Sequence, residues 1–337
     1  MALKDIIGQD KAINILLGTI QRGRVPSSYL FAGESGIGKK FTAVNLAKAV
    51  NCLKTAPPEL RTQIDACDKC LSCKKIDAST HPDFLLISPE NGQIRVEEIR
   101  KIEGLLSLKP FEGRKKIVIV DDADKMNLSA ANAFLKTLEE PPEDSLIILI
   151  SSNPDRLPST IRSRCSRINF TPLSDEDCKR VVSRYLSNQK TTTKTNEIMD
   201  TKLTTLIRLS MGRPGIAIQK DIIEVRAWFI KLLKGMLNKE KDGWKSREEM
   251  ERWIDLMLIL LRDMATSKIT GDEAYLINAD LKDYLRRLSH TIDLKVIIEN
   301  YQKLNTLKGY LNFNLNKALT WNYTGSLLRK TMDVKYA

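Results

Sequence analysis

A chain of 337 residues exceeds one ordinary hydrophobic core and implies two or three domains. Its formal net charge of +12 points towards nucleic acid, contacted alone or through a complex, although the lysines and arginines are spread along the chain rather than gathered in one block. No run of about eighteen apolar residues occurs and the start, Met1-Ala-Leu-Lys-Asp-Ile-Ile, reads as neither a signal nor a transit peptide, so the expectations are no membrane span and a cytoplasmic location.

In chain order, residues Asp5 to Arg22 predict a helix, with Ile6, Ala12, Ile15, Leu16 and Ile20 as its apolar stripe. The run Tyr29-Leu-Phe-Ala32 is a short buried strand that meets Gly33-Glu-Ser-Gly-Ile-Gly38-Lys39-Lys40, and a helix through Val50 follows. That is the strand–loop–helix setting of a phosphate loop, in which Gly33, Gly36 and Gly38 let backbone N–H groups face phosphates and Lys39 supplies charge. The last position departs from the pattern: Lys40 stands where a Ser or Thr hydroxyl would hold Mg²⁺, and an ammonium repels that ion. Thr42 comes two residues late, on another face of the helix. The loop suits ATP or ADP better than it suits Mg²⁺.

Six cysteines in a cytosolic chain are not expected to pair as disulfides. Cys52, Cys67, Cys70 and Cys73 combine two overlapping C-x-x-C steps with one distant thiol, a set suited to a closed structural Zn²⁺ site, with Pro57-Pro58 returning the chain between them. Cys165 and Cys178 stand apart. His81, just before Pro82, belongs to a turn and is not counted as a ligand.

Phe84 to Ser88 is a second strand and Val96 to Leu108 a helix. Ile117-Val-Ile-Val120, apolar at every position, reads as a central parallel strand. It ends at Asp121-Asp122, where nucleotide-hydrolysing enzymes hold Mg²⁺. Ser129 to Glu140 is a helix, Leu146 to Ile150 another central strand followed by Ser151-Ser152, and Ser163-Arg164-Cys165 precedes a strand ending near Phe170. Alternation up to about Thr171 predicts a doubly wound α/β domain. Beyond it, Ser174 with Asp177 forms a helix-capping pair, Lys190 to Thr201 reads as a polar loop, and Gly212-Arg-Pro-Gly215 closes the segment. After Pro214 no proline occurs, so the remainder is expected to be almost wholly helical, with Trp228, Trp244, Trp253 and Trp321 packing it.

The phosphate loop, the four-cysteine module, His81-Pro-Asp-Phe84, Ala130-Ala-Asn-Ala-Phe-Leu-Lys-Thr-Leu-Glu-Glu-Pro-Pro142 and Thr160-Ile-Arg-Ser-Arg-Cys165 together resemble the delta-prime subunits of the bacterial DNA polymerase III clamp loader, an AAA+ family. The resemblance runs almost end to end. It implies α/β plus all-α architecture: a RecA-like domain over 1–171 with a zinc insertion at about 52–73, a helical lid over 172–221 and a helical collar over 222–337. It implies a hetero-oligomeric ring with the delta and gamma/tau motor subunits, which loads the beta clamp on primed DNA as part of the polymerase holoenzyme. Arg164, within Ser163-Arg164-Cys165, would be an arginine finger reaching a neighbour's nucleotide, and Ser152 would match the sensor-1 position.

The rival reading in the same family is a gamma/tau-type motor with its own ATP hydrolysis. Lys40, Asp122 in place of a catalytic Glu, and Gly215 in place of a sensor arginine argue against it, so no intrinsic ATPase is expected. A third reading, a zinc module that binds nucleic acid on a borrowed fold, is weakened by a cysteine loop with few basic groups besides Lys69, Lys74 and Lys75.

Overall fold

The computed structural model describes residues 2–54, 65–188, 196–218, 221–241, 243–272, 275–311, 315–329 and 332. The segment carrying Pro57-Pro58 lies outside them. The apolar runs read from the sequence become β1 (Ser28–Ala32), β2 (Phe84–Ile87), β3 (Lys116–Val120), β4 (Ser145–Ser151) and β5 (Ser166–Asn169). They pair in parallel, in the order β2-β3-β4-β1-β5.

Alternation along these strands builds two cores. Tyr29, Phe31, Ile117, Ile119, Leu146 and Ile148 face α1 (Asp10–Gln21) and α2 (Lys39–Asn51), while Leu30, Val118, Val120, Ile147 and Leu149 face the other way. A short α3 (Leu71–Asp77) extends the first layer, and α4 (Val96–Leu106) and α5 (Leu128–Glu139) cover the second with Ile99, Ile102, Phe134 and Leu138. Helices on both faces of a parallel sheet make the doubly wound domain expected from the strand–helix alternation.

The first helix is shorter than predicted. It begins at Asp10, because Gly8 takes φ +75° and packs so closely on Leu173 that a Cβ there would come within 2.6 Å of its side chain. The helix at Val96 stops at Leu106 rather than Leu108. After α6 (Ser159–Arg162), the Ser174 hydroxyl accepts the Asp177 N–H at 3.1 Å and caps α7 (Asp175–Asn188) as read. The polar stretch expected as a loop to Thr201 is helical from Asn196, within α8 (Asn196–Leu209): threonines lower helix propensity only slightly, and the apolar face of this helix decides.

Contacts divide the chain into two compact units: Met1–Gln189 with Met211–Ile216, and Lys190–Ser210 with Ala217–Ala337. The last of the boundaries between them falls within α9 (Pro214–Ile218). The second unit is helical as predicted, with α10 (Asp221–Leu237), α11 (Arg247–Thr270), α12 (Lys282–Thr291), α13 (Leu294–Tyr310) and α14 (Lys317–Arg329). Its core centres on fully buried Trp253, whose ring lies 5.6 Å from Phe229 and 5.7 Å from Trp244; Trp321 meets Trp244 edge-on at 5.0 Å.

Candidate functional sites: phosphate loop, cysteine cluster and Arg164

The phosphate loop leaves the C-terminal end of β1, the end at which open parallel sheets bind ligands. Gly33, Gly36 and Gly38 take φ of +148°, +82° and +99°, so the turn depends on glycine at each. Gln9 supports it from beneath, its amide donating to Ile37 O at 3.3 Å and Thr171 O at 2.7 Å. Lys39 Nζ folds back onto the loop carbonyls of Gly33 and Glu34, each at 2.5 Å. Burial lowers the Lys39 pKa, against the pull of Asp122, Asp121, Asp124 and Glu34.

Lys40 forms an ion pair with Asp121, Nζ to Oδ2 at 3.1 Å. The Thr42 hydroxyl cannot replace the missing one, because it is buried and donates to Gly38 O at 3.0 Å. The Mg²⁺ that such a fold ordinarily holds therefore does not fit the residues present. Asp122 sits in left-handed backbone at φ 46°, and burial together with Asp121 and Asp124 raises its pKa. Asp124, which sequence reasoning missed, ties the site to β4: its Oδ1 accepts the Ser151 hydroxyl at 2.7 Å and the Ser152 N–H at 3.2 Å.

The Gly212-Arg-Pro-Gly215 turn lies on this loop. Gly215 N–H donates to Gly36 O at 2.8 Å, and a Cβ on Gly215 would stand 2.9 Å from that oxygen and 3.0 Å from Gly36 Cα. No side chain fits there without parting two backbones. Arg213 pairs instead with Glu34 at 3.6 Å.

The four predicted cysteines come together. Their sulfurs lie within 4.8 Å of one another, with Cys52 and Cys70 at 3.9 Å. A sulfur tetrahedron at Zn–S of about 2.3 Å has edges of about 3.8 Å, so the cluster can hold a metal ion and its spacing is compatible with Zn²⁺. Cys70 N–H points at Cys67 Sγ and Cys73 N–H at Cys70 Sγ, both at 3.4 Å. Burial opposes ionisation of Cys67, yet the N–H groups of Lys69 and Cys70 and the neighbouring thiols bring it down to about 6. Lys48 fastens the cluster to α2. This fully buried ammonium bonds Asp68 at 2.6 Å and Asp77 at 3.0 Å, a pairing whose only sequence signal is a lysine among Leu46, Ala47, Ala49 and Val50. His81 is buried and its Nδ1 accepts the Asp83 N–H at 3.1 Å.

Arg164 lies just before β5, whose Ser166 is level with Tyr29 in β1, while the phosphate loop follows Ala32 at the far end of the same pair. At about 3.3 Å per residue, the level of Ser166 and the start of the loop at Gly33 are about 13 Å apart along the pair, beyond the reach of an arginine side chain. Arg164 donates to Thr160 O at 2.8 Å and pairs with Glu139 at 2.7 Å, a third of its side chain remaining exposed. Ser163 is exposed, its hydroxyl on Thr160 O. Cys165 packs on the second core, and burial pushes its thiol up to about 11.

Among the described residues no helix is long and apolar enough to cross a membrane. The family described as "DNA polymerase III, delta subunit" matches residues 8–174. The chain is 30% identical to DNA polymerase III subunit delta' of Bacillus subtilis, over 81% of this chain and 82% of that protein. It is 30% identical to the subunit delta' of Pseudomonas aeruginosa, over 88% and 90%. DNA polymerase III subunit tau of Bacillus subtilis is 28% identical over 90% of this chain and 57% of its own length. The motifs and these similarities converge, and the chain belongs to the clamp-loader family of DNA polymerase III subunits that includes the delta' proteins.

Proposed function

We propose that the chain is a non-motor, delta'-type subunit of a hetero-oligomeric clamp loader, and that Arg164 serves a nucleotide held by a neighbouring motor subunit. The observation that carries this reading is the separation of Arg164 from the chain's own phosphate loop, at opposite ends of one strand pair. An arginine so placed acts on another chain or on none. The cis site supports the same reading: Lys40 answers Asp121, and Gly215 leaves no room for a sensor arginine. ATP or ADP binding without turnover, a structural Zn²⁺ on Cys52, Cys67, Cys70 and Cys73, and the division into RecA-like, lid and collar parts at about 171 and 221 belong to this proposal. So do the delta and gamma/tau partners, contact with the beta clamp and primed DNA through the complex, and a cytoplasmic location.

The test is reconstitution with motor and delta subunits. An arginine finger contributes about 10³-fold or more at the site it serves. Arg164→Ala should therefore lower the DNA-stimulated ATPase of the complex while the isolated chain shows no turnover with or without the change. Unchanged activity of the complex would overturn the role of Arg164. Turnover by the isolated chain, lost in Lys39→Ala, would favour the motor reading.

A further inference from the structure

The metal position of the phosphate loop is already answered by a side chain. In a complete loop of this type, the residue after the lysine offers a hydroxyl to Mg²⁺ and a carboxylate at the end of another strand of the sheet, here β3, holds the same ion, which in turn engages the β- and γ-phosphates. Here the first of those places is an ammonium and the second is its ion-pair partner: Lys40 Nζ stands 3.1 Å from Asp121 Oδ2. The Lys40 side chain is 47% exposed, so the pair opens to solvent rather than into the core. The hydroxyls of Thr42 and Ser151 are committed, to Gly38 O and to Asp124.

The charges around the pair are Glu34, Asp121, Asp122 and Asp124 against Lys39, Lys40, Lys125 and Arg213. Mg²⁺ entering this cluster must remove an ammonium from Asp121 and then remain a few ångströms from it, a repulsion that no hydroxyl ligand offsets. An anion meets the opposite situation, because the lysine stem can turn its head from Asp121 towards a phosphate and keep both within reach.

We propose that this loop takes the polyphosphate of a nucleoside di- or triphosphate in its metal-free form, with the Lys40 ammonium bridging Asp121 and the phosphates in place of Mg²⁺. The proposal rests on the reading that the loop binds nucleotide, and it names the form of that ligand. A single positive charge can hold the phosphates there. It cannot supply the divalent charge that hydrolysis draws on, so binding and turnover separate at one residue.

The experiment uses the full chain and fluorescent mant-ADP and mant-ATP, titrated at fixed ionic strength in excess Mg²⁺ and in excess EDTA. The chain should bind in EDTA at least as tightly as in Mg²⁺, within about twofold. Lys40→Thr, which restores the hydroxyl at an exposed position and should leave the melting temperature unchanged, should bind more weakly in EDTA and gain about tenfold or more from Mg²⁺. The proposal is overturned if Mg²⁺ tightens binding to the unaltered chain about tenfold, if neither nucleotide binds under either condition, or if Lys40→Thr responds to Mg²⁺ as the unaltered chain does. None of these outcomes bears on Arg164, whose role is read from the ATPase of the complex, so the two readings can fail separately.

Discussion

The ion pair between Arg164 and Glu139 joins two motifs, Ser163-Arg164-Cys165 and Leu138-Glu139-Glu140-Pro141-Pro142, yet both partners are partly exposed and such a pair contributes about 0–1 kcal/mol. Its loss should barely alter the melting temperature of the Arg164→Ala chain, which isolates the functional arm of that variant. Asp83 is the contrasting case. It is fully buried, accepts the N–H groups of Phe111, Glu112 and Gly113, and pairs with buried Lys116 at 3.1 Å. Burial opposes its charge, but those donors hold its pKa at about 2, below the usual carboxylate range. A depressed carboxylate stabilises the fold above its unfolded pKa and loses that contribution as pH falls through the folded value. Asp83 should therefore contribute about 2 kcal/mol above about pH 4, lost progressively towards pH 2. Urea titrations across that range should show the loss, and Asp83→Ala, which strands Lys116, should cost about 3–5 kcal/mol near neutrality. A variant as stable as the parent would remove this account. At this scale the sequence displayed what spacing encodes, the four cysteines and the glycines of the loop. It hid Lys48–Asp68, Asp124–Ser151 and Arg164–Glu139, because each pairs residues that only the fold makes neighbours.

Among the elements, α2 links the phosphate loop to the cysteine cluster: its first turn carries Lys39 and Lys40, and Cys52 follows its last residue. Lys48, about two and a half turns from its start, locks onto the Cys67–Cys70 knuckle and α3. Burial works against the Lys48 charge, but Asp68 and Asp77 outweigh it and raise its pKa above the usual lysine value. If the four thiols hold Zn²⁺, stripping it with a chelator should release about one ion per chain and lower the melting temperature, at about 2–4 °C for each kcal/mol lost. Hydrogen exchange should quicken in α3 and in the C-terminal half of α2. An unchanged melting curve after confirmed metal release would refute a structural role. The strands were legible because apolar residues run unbroken through β3 and β4, which both faces of the sheet demand. Helix ends were less legible: Gly8 stops α1 through contact with Leu173, more than 160 positions away, and no local pattern announces that.

On the scale of the whole molecule, the sheet has two poles. Phosphate loop and Gly212–Gly215 turn occupy the C-terminal pole, and Arg164 the other. Under the proposed role of Arg164, a subunit polarised in this way suits head-to-tail assembly, its arginine end meeting the phosphate-loop end of the next chain. The alternation of strands and helices made the first unit readable, and the proline-free tail made the second readable as helical. Their interlacing was not readable. The chain leaves the first unit after Gln189, returns for Met211–Ile216, and leaves again.

That return binds two distant stretches of the gene to a common fate. Leu173 N–H donates to Gly212 O at 2.8 Å, and Gly36 and Gly215 touch backbone to backbone. Recombination between relatives at a breakpoint near 189 would set a foreign 211–216 turn against a native phosphate loop. A breakpoint after 218 would move the two together. Of two chimaeras with the Bacillus subtilis delta' protein, the one joined after 218 should melt higher than the one joined after 188; equal melting would mean that the turn is interchangeable. Inheritance in this family should thus favour exchanges that keep the loop and its cover as one cassette, although some 180 residues of sequence separate them.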